Sequence, residues 1–382
     1  MDQITPVNLA YDALAAAREV AVSARINADA QDRDDGFPAS DVADLARLGL
    51  LAAPIPVREG GAGLGEEPGG AKLAEVLRLV GYGSLALGRL YEGHVNALHL
   101  VALYGDAGQR ERLFEDARSG HLFGVWNTER AGGGLVLEGG PDGLHLRGAK
   151  TFASGAGHVT RALVTAHRAN ADGPVMLVVP LRAGTRADLS DWRAHGMRAS
   201  ATGTVDFTDL PVTDDAILGE PGDYHRQPVF SGGAWRFAAV QLGGIEAVFD
   251  AWREHLTRHG RGGDPHQLAR LGEGALAVEG ARNWIARGAA TVTQGTLPSG
   301  RLIACINLVR LAVERAGLDV LQLAQRSVGL QGFLRGHPLE RLSRDLATYL
   351  RQPAPDGALV GAAEEILAAG GMAGDLWHGG GP

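Results

Sequence analysis

The chain predicts a mostly helical α+β protein in which a β module separates two helical parts. Three observations carry this. Helix-spaced apolar residues bounded by caps and breakers fill both ends of the sequence, and from about Leu122 to Gly222 short alternating runs separated by turn residues replace them. Length is the third, since 382 residues are two to three times the roughly 150 of one typical domain. The expected division is an N-terminal helical domain over 1–120, a middle antiparallel β domain over 121–225 and a C-terminal four-helix bundle over 226–382.

In chain order, Ser40 is placed to cap a helix carrying Val42, Leu45, Ala46 and Leu48 on one face, with Gly49 as its left-handed terminator. Pro54, Pro56 and the glycines from Gly60 to Gly65 predict a loop, after which helices are expected over Lys72–Leu90 and Gly108–Ala117. In the β module, Pro141-Asp142-Gly143 reads as a turn. Leu144 and Leu146 then alternate with His145 and Arg147, Val175 to Leu181 is an apolar run, and Val205 and Phe207 precede Asp209. Helical character returns at Phe230. Asp264 followed by Pro265 is a helix start, and Leu302, Ile306, Val309 and Val313 recur at helical steps as a core-facing stripe. Long helices joined by short loops predict a bundle. The glycine-rich end, Gly379–Gly381, reads as frayed.

Composition removes several function classes. The net charge of −8 and the absence of a Lys/Arg-dense face argue against nucleic acid as a partner. The single cysteine, Cys305, provides no internal disulfide and no multi-thiolate metal site, and the thirteen histidines lack metal-ligand spacing, so no metal is expected. No apolar run of about 18 residues predicts a membrane span, and no leader-like segment is recognisable, so a cytoplasmic protein is expected. Gly61-Ala62-Gly63-Leu64-Gly65 puts Glu66 where a dinucleotide-binding loop needs its third glycine. Signatures of phosphate-binding loops, zinc proteases and serine hydrolases are missing as well.

Segments around the two junctions carry a resemblance. Phe37-Pro38, the Gly60-Gly61-Ala62-Gly63 loop, Trp126-Asn127-Thr128-Glu129, Gly148-Ala149-Lys150-Thr151-Phe152-Ala153-Ser154, Gly196-Met197-Arg198, Gly329-Leu330-Gln331-Gly332-Phe333 and Arg344-Asp345 follow in an order and spacing that resemble the acyl-CoA dehydrogenase superfamily of flavoproteins. The resemblance implies FAD between the β domain and the C-terminal bundle, with a neighbouring subunit of a homotetramer or homodimer completing the pocket. It implies that Thr128 bonds the flavin pyrimidine, with Trp126 and Asn127 as its backbone neighbours, that Phe152 faces the ring and that Ser154 reaches the N5 edge. Gly133 and Gly329 fall in cofactor-binding segments. Arg326 replaces a glutamine that reaches a neighbour's FAD, and an arginine there suits the phosphates.

Departures from the family pattern concern the catalytic base. The glutamate that removes a substrate α-proton in most relatives is matched by Pro353, and its alternative, just before an arginine in the first bundle helix, is matched by Trp235. Asp356 is the remaining candidate for catalysis. Glu246, about three turns along the Arg236 helix, is expected to be too distant. Arg236 is expected at the substrate's reacting end, to polarise a carbonyl or pair with a carboxylate.

The resemblance therefore implies first an FAD-dependent oxidation of the α,β bond of a CoA thioester, within fatty acid metabolism, with an electron-transfer flavoprotein as acceptor. The alternatives are a flavin-dependent monooxygenase on the same fold and a non-catalytic flavoprotein. Such monooxygenases place a histidine near Arg351 or Gln352, and this chain has none there. Fold alone does not choose among the three.

Overall fold

The computed structural model describes residues 11–377 apart from Glu67, Ala131 and Asp142. The Pro141-Asp142-Gly143 turn and the Gly379–Gly381 end fall partly or wholly outside them. Helices α1 (Ala13–Gln31), α2 (Ala39–Arg47), α3 (Gly70–Gly83), α4 (Leu85–Tyr104) and α5 (Ala107–Arg118) precede the first strand. Where one helix was expected over Lys72–Leu90 there are two. Ser84 is extended at φ −158° and its hydroxyl accepts from the Leu87 N–H at 3.3 Å, so it ends α3 and caps α4. Ser40 lies inside the first turn of α2 and Pro38 takes the cap position. Gly49 is left-handed at φ +74°, as expected.

The middle segment carries β1 (Phe123–Trp126), β2 (Val136–Gly140), β3 (Gly143–Arg147), β4 (Ala149–Ala153), β5 (Arg161–Arg168), β6 (Val175–Pro180), β7 (Ala187–Asp188), β8 (Gly203–Asp206), β9 (Leu210–Val212) and β10 (Ile217–Leu218). The larger sheet runs β10-β6-β5-β2-β3-β9 with β1 also on β5, and a smaller sheet runs β4-β8-β7. The module is mostly antiparallel, as expected, and departs from that where β1 and β2 both pair with β5 in parallel. Trp126 lies opposite Val164 and Val136 opposite His167, so β1 and β2 are successive pieces of one strand edge, interrupted by an excursion over 127–135. That excursion carries Thr128.

The remaining helices are α6 (Val229–Gly232), α7 (Trp235–Arg258), α8 (Pro265–Gln294), α9 (Ser299–Val328), α10 (Pro338–Tyr349) and α11 (Pro355–Ala368). Asp264 caps α8 by accepting from the His266 and Gln267 N–H groups. The Leu302, Ile306, Val309 and Val313 stripe is buried, and α7, α8 and α9 pack on one another with α10 on α7 and α11 on α9. The N-terminal helices join this bundle through α3 against α7. A Cβ on Gly243 would lie 2.0 Å from the Arg78 carbonyl oxygen, and one on Gly81 2.3 Å from that of Val240, so glycine on both helices permits backbone contact. Among the described residues no helix is long and apolar enough to cross a membrane.

Candidate functional site

Two adjoining cavities lie where the three parts meet, with Pro353 in the wall of both. The first, about 600 Å³, opens between the β module and the bundle and is lined by Thr128, Phe152, Ser154, Thr202, Arg89 and Tyr349 among others. Phe152 owes its position to an irregularity in β4, whose register against β8 shifts between Lys150 and Ala153. Its φ is +52°, its ring is 64% exposed, and the Trp192 ring stands edge-on to it at 6.2 Å. A left-handed aromatic residue costs about 1–3 kcal/mol, a cost that concentrates at functional sites. Next to it, the Ser154 hydroxyl accepts from Arg89 Nε at 3.4 Å and Thr202 Oγ1 at 3.3 Å.

Thr128 is exposed at the cavity wall, and the excursion that presents it is fixed from beneath by the fully buried Lys150. The Lys150 ammonium donates to Glu129 Oε1 at 2.5 Å, Thr165 Oγ1 at 3.0 Å and the Asn127 carbonyl at 3.3 Å. Burial pushes the Lys150 ammonium down from its ordinary range, and Glu129 opposes that shift. Glu129 also accepts from the Leu135 N–H at 3.1 Å, closing the excursion. It therefore supports Thr128 from below.

Other expected site residues lie elsewhere. The Trp126 indole is buried, stands edge-on to Phe207 at 6.4 Å and donates to the Ser154 carbonyl at 3.0 Å, so its side chain braces Ser154 from the core. The Asn127 amide oxygen accepts from Thr165 and belongs to the Lys150 network. Gly133, Arg326 and Gly329 line neither cavity; Arg326 is exposed, and Gly329 caps α9 with φ +74°. Asp356 is corrected as a candidate base: it is exposed in the first turn of α11, where an acid complements the helix N-terminus, and it lines neither cavity. Glu246 is held by Arg78 and Arg282 between α3, α7 and α8, each at 2.5 Å.

The second cavity, about 480 Å³, is lined by Glu92, Asn96 and His99 of α4, Arg236 and Phe237 of α7, Phe230 of α6, and Arg310 of α9. Arg89, Glu92, Asn96 and His99 follow at steps of three, four and three, one face of a helix whose other residues are largely apolar. This face runs from the first cavity to the second. Sequence reasoning missed it; the signal was polar residues at helical spacing in an otherwise apolar helix. Arg236 lines the second cavity and is buried, with its Nε donating to Asn96 Oδ1 at 2.5 Å. Burial pushes its guanidinium down to about 10, partly offset by Glu92, so it stays cationic at neutral pH. Burial and the neighbouring Arg236 push the His99 imidazole down to about 3, which keeps it neutral.

Each cavity has one carboxylate in its lining, and both are engaged. Glu92 receives Arg89 Nη1 at 2.8 Å and the Asn96 amide, and Glu314 receives Arg351 Nη2 at 2.9 Å. Among the described residues no cluster of three or more histidine, cysteine or acidic residues is arranged to hold a metal ion.

Comparison with known proteins matches residues 12–121 to the acyl-CoA dehydrogenase N-terminal domain and 226–350 to the acyl-CoA dehydrogenase C-terminal domain, together well over half of the chain. A dibenzothiophene monooxygenase of Rhodococcus erythropolis is 26% identical, over 88% of this chain and 89% of its own. An L-evernosamine nitrososynthase of Micromonospora is 29% identical, over 84% and 82%. In fold, the chain is similar to TdsC of Paenibacillus sp. A11-2, solved with FMN and indole, with a TM-score of 0.82 over 93% of this chain and 96% of that one at 21% identity. The chain belongs to the acyl-CoA dehydrogenase superfamily of flavin-dependent oxidoreductases.

Proposed function

We propose that the protein is a flavin-dependent monooxygenase that binds FMN in the first cavity and a small organic substrate in the second. The observation that carries this is the engagement of both lining carboxylates: Glu92 and Glu314 are each paired with an arginine, and Pro353 stands where the dehydrogenase glutamate is expected. A dehydrogenase needs a free base within reach of the substrate α-carbon. The dibenzothiophene monooxygenase and nitrososynthase relatives support the same reading. It replaces the first expectation, thioester oxidation in fatty acid metabolism, and with oxygen as acceptor an electron-transfer flavoprotein has no role.

The first cavity fits a flat ring with a polar edge. Phe152 and Trp192 supply aromatic surface, Thr128, Ser154 and Thr202 supply hydroxyls that donate or accept, and Arg89 supplies a cation. FMN is preferred to the expected FAD because the similar fold of TdsC was solved with FMN. When bound, reduced flavin supplies the two electrons with which O2 is divided, one oxygen atom entering the substrate and the other leaving as water. The chain's own part is to orient and to exclude. Thr128 and Ser154 fix the ring edge, Arg89 is held between Glu92 and Ser154, and Phe237 and Phe230 keep the second cavity apolar around the reacting atom.

The test is anaerobic addition of butyryl-, octanoyl- and isovaleryl-CoA to the FMN- and FAD-loaded protein. The oxidised visible spectrum is expected to persist with all three. Bleaching by any of them would establish a working base and return the reading to dehydrogenation.

A further inference from the structure

The second cavity contains charge that the protein itself does not balance. Its one lining carboxylate, Glu92, is in direct contact with Arg89 and offsets Arg236 only in part, and Glu314, which offsets Arg310, is already paired with Arg351, so cations outnumber carboxylates around the cavity. Arg236 has no carboxylate partner among the described residues; its one protein hydrogen bond is from Nε to the neutral Asn96 amide. Arg310 gives Nη2 to the Pro353 and Ala354 carbonyls at 2.6 and 3.2 Å, and its buried Nε has no partner. A cation taken out of water with too little counter-charge is costly, so a buried arginine that is only partly compensated and faces a cavity suits an anion. Space has been kept for its head group. A Cβ on Gly233 would lie 2.8 Å from Arg236 Nη2, so glycine there leaves the guanidinium its position. Around this charge the cavity is apolar, with Leu100, Val125, Phe230 and Phe237 in its wall.

We propose that the substrate of the second cavity is a small organic anion, a carboxylate or an oxyacid of sulfur on an aromatic or aliphatic body, anchored by Arg236. The geometry divides the labour. The guanidinium takes the acid group bidentately, as its planar fork allows, with Arg310 adding positive potential. Phe230 and Phe237 hold the apolar body, and Pro353 marks the side on which the two cavities meet. His99, kept neutral beside Arg236, adds a donor or acceptor without adding charge. This inference rests on the second cavity being the substrate site of the proposed monooxygenase, and its test is one of binding, so that it can fail or succeed without turnover.

The experiment is calorimetric titration of the FMN-loaded protein with benzoate, benzenesulfinate and the neutral isostere benzamide, in wild type, Arg236→Gln, Arg236→Lys and Gly233→Ala. Benzoate or benzenesulfinate is expected to bind at least about tenfold more tightly than benzamide, as a charge-assisted pair requires. That preference should vanish in Arg236→Gln, persist in weakened form in Arg236→Lys, and fall in Gly233→Ala, which keeps the charge and displaces the head group. If Arg236→Gln does not fold, the contrast between Gly233→Ala and wild type decides. Equal binding of benzamide and the anions, binding of none of the three, or an anion preference that survives both Arg236→Gln and Gly233→Ala would overturn the proposal. Anion binding without oxygen consumption would instead leave the anion site standing and remove the monooxygenase reading.

Discussion

The two cavities share Pro353 and are built in opposite ways. The first presents hydroxyls and an exposed aromatic ring from a loop excursion and an irregular strand, and the charges in its lining are answered within the protein, Arg89 by Glu92 and Arg351 by Glu314. In the second, charged groups on α4, α7 and α9 also line the wall, and one of them, Arg236, has no carboxylate in direct contact and is offset only in part by Glu92. On the proposed function, the difference separates two tasks. A cofactor common to a family needs a rigid cradle of fixed shape, whereas a substrate is selected by whatever charge the site leaves unanswered.

Breaking the buried pairs should have the largest effects. Glu92→Gln strands Arg89 and is expected to cost about 3–5 kcal/mol of stability, measured by denaturant unfolding, the usual penalty for removing one member of a buried pair. Lys150→Met leaves Glu129, at a partly exposed position, without its ammonium partner and is expected to cost about 2–3 kcal/mol, while weakening FMN affinity through Thr128 and sparing benzoate binding. Equal loss of both ligands in Lys150→Met would mean that the cavities are one mechanical unit.

A sharper contrast comes from Phe152, where folding and binding should move in opposite directions. With φ at +52°, Phe152→Gly relieves backbone strain and is expected to change stability by no more than about 1 kcal/mol, in the stabilising direction, while FMN binding weakens for want of the ring. Thermal unfolding and fluorimetric FMN titration of the one variant read both signs.

The smallest expected effect is the one that Arg236→Gln has on acid stability. Burial holds His94 down to about 4, and burial together with Arg236 holds His99 down to about 3. Because the unfolded chain takes up these protons at about 6.5 and the folded protein resists them, their stabilising contribution is complete above pH 6.5 and is lost as pH falls toward 4. Arg236→Gln should raise the His99 value and make that loss shallower, as read by the denaturation midpoint across pH 4 to 7.

The cavities also differ in how legible they were. Thr128, Phe152 and Ser154 lie in two short contiguous segments, and contiguous segments survive as readable motifs. Arg89, Glu92, Asn96 and His99 stand alone among leucines, alanines and valines, each indistinguishable from an ordinary helical polar residue until the spacing is taken together. The order of helical, β and helical segments followed from periodicity. Parallel pairing of β1 and β2 on β5 did not, because register depends on where the 127–135 excursion begins and ends, and no local residue pattern specifies that. Asp356 shows the converse: proximity in sequence to Pro353 suggested a base, and the start of α11 turns it to solvent.

The most direct test of the central claim is isotopic. Reduced FMN, 18O2 and a panel of benzenesulfinate, benzoate and dibenzothiophene are mixed with the protein, and the products are weighed by mass spectrometry. Monooxygenation predicts one atom of 18O in the product of at least one of them, dependent on both protein and reduced FMN. If every substrate is recovered unlabelled while the loaded protein is bleached anaerobically by an acyl-CoA thioester, the account is wrong and the chain is a dehydrogenase with a base these residues do not reveal.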